Sequence, residues 1–155
     1  VRKSDLHPSG VSIIARLAMQ DVAAASNGWV IGEHPWEGGS DHDVFLGRGV
    51  PAILMWHFTD FAYHTSLDRL SHVDPRMVRR MSVALMASAL AVASPRPDDL
   101  QRYQQAIDEE RALRIAAADQ AQDSESKKMW QEWCTGAQQW LTTLCNESSP
   151  EKNQR

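Results

Sequence analysis

Gly47-Arg48-Gly49-Val50-Pro51-Ala52-Ile53-Leu54-Met55-Trp56 is a glycine-bracketed turn running straight into seven residues with no polar side chain. A run without polar alternation suits a strand covered on both faces, the kind found inside an α/β sheet. Pro51 sits at its start, where a missing N–H does least harm to a ladder. Upstream, Val11, Ile14, Ala15, Ala18, Val22 and Ala25 recur at helical spacing from Ser9 to about Ser26, and Asn27-Gly28 supplies a stop. Ile13, Leu17 and Met19 widen that face, so the helix is expected to be buried on more than one side. Trp29 to Gly32 is short and β-like, and His34-Pro35-Trp36-Glu37-Gly38-Gly39 reads as a loop. Downstream a polar, aromatic loop spans His57 to His72. Asp74-Pro75 then starts a helix with an N-cap acid and a first-turn proline, and Met77, Met81, Ala84, Leu85, Ala89 and Val92 continue it to Ser94. Helix, loop, strand, loop, helix is α/β organisation.

Ser94-Pro95-Arg96-Pro97 marks the clearest boundary, dividing the chain into 1–94 and a helical extension, 95–155. Asp98-Asp99 caps a helix in which Leu100, Tyr103, Ile107 and Leu113 are expected to face inward. Asp98 with Arg102, and Glu110 with Arg114, have the i,i+4 spacing of helical ion pairs. After a break near Asp123-Ser124, Met129, Trp130, Trp133, Cys134, Ala137, Trp140, Leu141, Leu144 and Cys145 form one apolar stripe. Packing on the domain or on the preceding helix would cover it; a partner surface is the other reading. The polar tail from Asn146 is expected to be disordered. Cys134 and Cys145, if on one helix, stand about 16 Å apart at 1.5 Å per residue, too far for a disulfide. They leave the redox compartment open.

The chain has 155 residues, 43% of them hydrophobic, enough for one packed domain. A net charge of −4 offers no basic stripe for nucleic acid. No apolar run approaches the roughly 20 residues of a membrane span. With neither an initiating Met nor a signal-peptide pattern, the chain is expected to be a piece whose beginning lies elsewhere.

Polar chemistry concentrates between Glu33 and Asp74, where His34, His42, His57, His64 and His72 lie beside Asp41, Asp43, Asp60 and Asp68. Imidazole and carboxylate are good zinc donors, and ligands in open α/β sheets bind in loops beyond the strand ends. No pair here, however, has a self-sufficient ligand spacing such as HExxH. Four motifs in order sharpen the reading: Gly38-Gly39-Ser40-Asp41-His42-Asp43-Val44-Phe45, Gly49-Val50-Pro51-Ala52, Tyr63-His64-Thr65-Ser66-Leu67-Asp68 and Val73-Asp74-Pro75. Together, over about residues 10 to 94, they resemble the C-terminal part of M28 zinc peptidases of the aminopeptidase type; glutaminyl cyclases, which share the fold, show a similar order.

The resemblance implies a partial three-layer α/β/α sandwich followed by the all-helical extension. It implies a site of two zinc ions in which His64 is the late histidine ligand, the only one this chain supplies. The other ligands and the general-base Glu would belong to earlier segments, so the remainder of the peptidase domain is required and the isolated chain is expected to be inactive. Tyr63 resembles the residue that stabilises the oxyanion in some members, with core packing as the alternative. Asp41 and His42 resemble an outer-shell or substrate-side pair, and Asp68 could orient the His64 loop or ring. The implied reaction is zinc-dependent hydrolysis of a peptide, or small-molecule substrate, next to a free N-terminus. Two alternatives stand beside it: a glutaminyl-cyclase-like acyltransferase, whose His is preceded by Trp where this chain has Tyr63, and a non-catalytic fragment binding a partner through the Trp stripe. A secreted or periplasmic setting is compatible with the resemblance.

Overall fold

Helices make up every regular element of the computed structural model, which describes residues 7–33 and 38–147. In order these are α1 (Val11–Ala24), α2 (His42–Leu46), a 3-10 turn (Leu70–His72), α3 (Pro75–Ala93), α4 (Pro97–Gln120) and α5 (Ser124–Glu147). The expected α/β/α sandwich is therefore corrected: no strand or sheet occurs among the described residues. The reason is lateral. A strand exists only where a neighbouring backbone takes its hydrogen bonds. Val50 instead donates its N–H back to Phe45 O at 3.0 Å, closing a turn. The other β-like segment is drawn off as well: Trp29 is buried and sends its indole N–H to Met77 Sδ of α3 at 3.1 Å. Val50 to Trp56 thus runs without regular structure.

α1 is covered from two sides, as its wide apolar face requires. α3 packs along one side and α4 touches the other. The core joins Ile13 and Ile14 of α1 to Tyr103, Ala106 and Ile107 of α4 and to Cys134, Ala137 and Leu141 of α5. α4 and α5 form an antiparallel hairpin turned at Gln122, with φ 53°. Asp123 caps α5 by accepting from Ser126 N–H at 2.9 Å. Trp130 and Trp140 pack against this core, with the Arg114 guanidinium 4.6 Å from the centre of the Trp130 ring. Helices α3 and α4 meet at 111° across the proline-rich break. No single helix among the described residues is long and apolar enough to cross a membrane. Both cysteines are free thiols. Asn146 still belongs to α5, and the rest of the tail, residues 148–155, lies outside the described residues together with 34–37 of the His34–Gly39 loop.

Two glycines let the N-terminal segment press onto α5. A side-chain carbon on Gly10 would collide with Leu141, which is fully buried, and one on Gly136 would lie 2.5 Å from Pro8 Cβ. α1 and α4 are also tied by charge. Arg16 reaches Glu110 at 2.7 Å and Glu33 at 3.0 Å, Arg114 reaches Glu110 at 2.6 Å, and Arg102 grips both oxygens of Asp21. Arg102 thus pairs across helices, where the sequence spacing suggested Asp98.

Two inward faces differ from expectation. Leu113 is exposed, because six residues beyond Ile107 is about one and two-thirds turns, which returns to the outer side. On α3 the face toward α1 runs through Ala84 and Ser88, small residues that allow close approach, while Leu85 and Ala89 turn out. Val78, Val83, Leu85, Met86 and Leu90 all stay exposed, so α3 is apolar on both sides. A helix apolar all round is the kind normally buried from both.

Candidate functional site

The loop between Val50 and α3 is built around one anchored residue. Ala62 is completely buried, and its neighbours hydrogen-bond around it. Asp60 accepts from Ala62 N–H through Oδ1 at 2.8 Å, and its carbonyl accepts from Tyr63 N–H at 3.2 Å. Thr65 donates its hydroxyl to Ala62 O at 2.7 Å and its N–H to the same oxygen at 3.0 Å. The Thr65 hydroxyl in turn accepts from Leu67 N–H at 3.1 Å, and Asp68 N–H donates to Thr65 O at 3.2 Å. These short-range bonds wind the chain into consecutive turns from Asp60 to Asp68.

His64 stands at the centre of this winding with φ 58°, in the left-handed region. Histidine tolerates that region better than most residues, yet still at a cost of about 1–2 kcal/mol. Its ring is exposed and stacks on Tyr63, centroids 3.8 Å apart and planes 20° from parallel. The stack continues: Tyr63 meets Phe58 edge-on at 6.3 Å, and Phe58 lies over Trp56 at 4.8 Å. Phe61, 76% exposed, leans on His72 at 5.1 Å. The imidazole is therefore held out on an aromatic platform rather than packed inside. Thr65 ties the loop backbone through its hydroxyl. Asp68 joins the loop through its backbone N–H, and the ring contact of His64 is with Tyr63.

Asp41 and His42 fall on a different element. Asp41 is the exposed N-cap residue of α2 and makes no side-chain capping bond. His42 is buried, its Nε2 3.6 Å from Asp43 Oδ1, while Asp43 Oδ2 accepts from Gly39 N–H at 2.6 Å. Asp43 therefore fastens the Gly38-Gly39 turn to α2; its spacing, four residues beyond Gly39, is the signal that could have shown it. At the far end of the loop Asp74 caps α3, accepting from Arg76 N–H at 2.9 Å and from its guanidinium at 3.1 and 3.2 Å. The Arg76 side chain is the main reason the Asp74 carboxyl is held below its usual range.

A zinc centre needs three or four donors converging on one point. Among the described residues no group of three or more His, Cys, Asp and Glu side chains converges in that way. His64 offers one exposed imidazole; Asp41, His42 and Asp68 do not complete a set around it. The described residues alone do not fit a zinc pair.

Compared with models of known families, residues 7–89 match the one described as Peptidase family M28, a span of just over half the chain. It covers α1, α2, the His64 loop and most of α3. No curated protein and no solved structure matches the chain.

Proposed function

The chain belongs to peptidase family M28, and from that membership we propose that it is part of a zinc-dependent aminopeptidase to which His64 supplies one metal ligand. Hydrolysis of peptide bonds is the chemistry of the family, which is generally zinc-dependent. The observation that carries the reading is the His64 ring itself, exposed on a loop wound by the hydrogen bonds of Asp60 and Thr65 instead of buried in a core. The remaining donors then come from segments outside the described residues. Those segments have a place to pack: the bare apolar face of α3, with Val78, Val83, Leu85, Met86 and Leu90, adjoins the same part of the chain in sequence.

In this reading Tyr63 and His64 act from one platform. The Tyr63 phenol is half exposed and donates a hydrogen bond to the oxyanion that develops as a peptide carbonyl is attacked. Asp41 lies toward the substrate, which has a free N-terminus, and His42 sits buried beside Asp43, which holds the turn. Asp68 steadies the loop through Thr65. The tyrosine before His64 favours the peptidase over a glutaminyl-cyclase-like acyltransferase, and packing of Trp130 and Trp140 into the core leaves less of the stripe for a binding partner.

The test uses the full-length protein. His64→Ala is expected to lower zinc content and turnover of an aminoacyl-anilide together, by at least the roughly 10-fold seen when a residue supporting a metal ligand is lost. Full zinc occupancy with normal turnover would rule out the assignment, and turnover of an N-terminal glutaminyl peptide in place of the anilide would transfer the site to acyl transfer. Tyr63→Phe is expected to reduce kcat by about 10²–10³ with KM little changed, as for loss of one oxyanion donor.

A further inference from the structure

We propose that Asp60 and Thr65 are positioning residues that set the direction of the His64 imidazole, an inference that rests on the reading of His64 as a metal ligand. His64 occupies the left-handed region, which a β-carbon disfavours, so the surrounding bonds must hold it there. Among the described residues two side chains make those bonds. The Asp60 carboxylate closes the turn on Ala62 N–H before His64, and the Thr65 hydroxyl closes on Ala62 O after it. Both bonds converge on Ala62, the one residue of the loop with no exposed surface, so the pins are fixed to the protein body and not to solvent.

The consequence is geometric. With Ala62 as hub, the left-handed turn at His64 folds its ring back onto Tyr63 at 3.8 Å. Were the turn to relax to an ordinary helical or extended φ, the Cα–Cβ bond would swing and the stack would open. Pre-positioning of this kind matters because a misplacement of about 1 Å at a reacting group can cost on the order of 10²-fold in rate. Among the described residues the Asp60 carboxylate bonds to the Ala62 backbone and to no ring or cation, so it acts through the backbone, and an amide in its place can accept the same bond.

The experiment reads the ring directly in the 155-residue chain. Stacking on Tyr63 shifts the carbon-bound ring protons of His64 upfield, and Tyr63→Leu assigns that shift by abolishing it. Asp60→Ala and Thr65→Val are each expected to lose the upfield shift while far-UV circular dichroism keeps the helical content. Asp60→Asn and Thr65→Ser are expected to retain it. A folded Asp60→Ala or Thr65→Val with the shift intact would overturn the inference, as would loss of the shift in Asp60→Asn to the same extent as in Asp60→Ala. Should Asp60→Ala not fold, Thr65→Val and Thr65→Ser decide alone. A collapsed stack in Asp60→Ala with unaltered zinc content and turnover in the full-length His64→Ala protein would uphold the positioning role and remove the function from His64, so the two ideas fail separately.

Discussion

His64 combines two properties that seldom meet, an exposed metal-competent imidazole and a left-handed backbone. The pairing gives a way to separate stability from chemistry. Glycine reaches positive φ without strain, whereas alanine does not. His64→Gly should therefore be more stable than His64→Ala by about 1 kcal/mol in urea unfolding, although both lack the imidazole. Equal stabilities would mean that the backbone at 64 is not held left-handed in solution. Much of this site could be read from the chain alone. The Tyr63-His64-Thr65 motif and its aromatic surroundings announce themselves by residue type and order. Asp60 does not, because its contribution is a two-residue Asx turn onto Ala62, and the importance of that bond depends on the burial of Ala62.

Among the elements, the Asp74-Pro75 start and the α5 stripe carried over, whereas Asp98-Asp99 fall inside the first turn of α4, whose N-cap is Arg96 and has no side-chain capping bond. Asp74-Pro75 starts α3, and the α5 stripe faces α4, because both depend on local spacing. Asp74→Ala is expected to cost about 1 kcal/mol by removing the cap, visible as a lower urea midpoint. What local spacing could not settle was Val50 to Trp56. Its composition fits a buried strand, but strand formation depends on partners that no window of the sequence contains. The glycines of the α5 seam are also silent in sequence. In an ordinary helix Gly136→Ala would add about 1 kcal/mol of stability. Here the added carbon would strike the rigid Pro8 ring, and overpacking of about 1–3 kcal/mol should outweigh the gain. Thermal unfolding decides the sign, and a stabilised variant would show that Pro8 does not rest on Gly136.

Across the molecule, α1 is joined to the hairpin by two unequal ionic ties. Burial alone would raise the Glu110 carboxyl, but hydrogen bonds from Arg16 and Arg114 outweigh it and hold Glu110 below its ordinary value of 4.5. Arg102 likewise lowers Asp21 from 3.8. Carboxyls depressed in the folded state stabilise it fully above their unfolded values and lose that contribution as pH falls through the folded ones. Through these two carboxyls the unfolding free energy should decline as pH falls below about 4 and gain nothing further above about pH 5. Glu110→Gln should flatten that decline and cost about 1–3 kcal/mol at neutral pH, since Arg16 and Glu110 are each only 16% exposed. Asp21→Asn should cost less than about 1 kcal/mol, because that pair lies in water. An equal loss in the two variants, measured in low and high salt, would contradict this ranking.

The contact of Gly10 with Leu141 has a consequence for how the protein is made. Residues near the two ends of the described chain share one interior, so α1 leaves the ribosome long before the surface that shelters it. Ile13 and Ile14 must wait through the translation of more than a hundred further codons, and closing so long a loop slows the final step. Over that interval the nascent polypeptide carries a sticky, half-clad helix, the kind of intermediate to which chaperones bind.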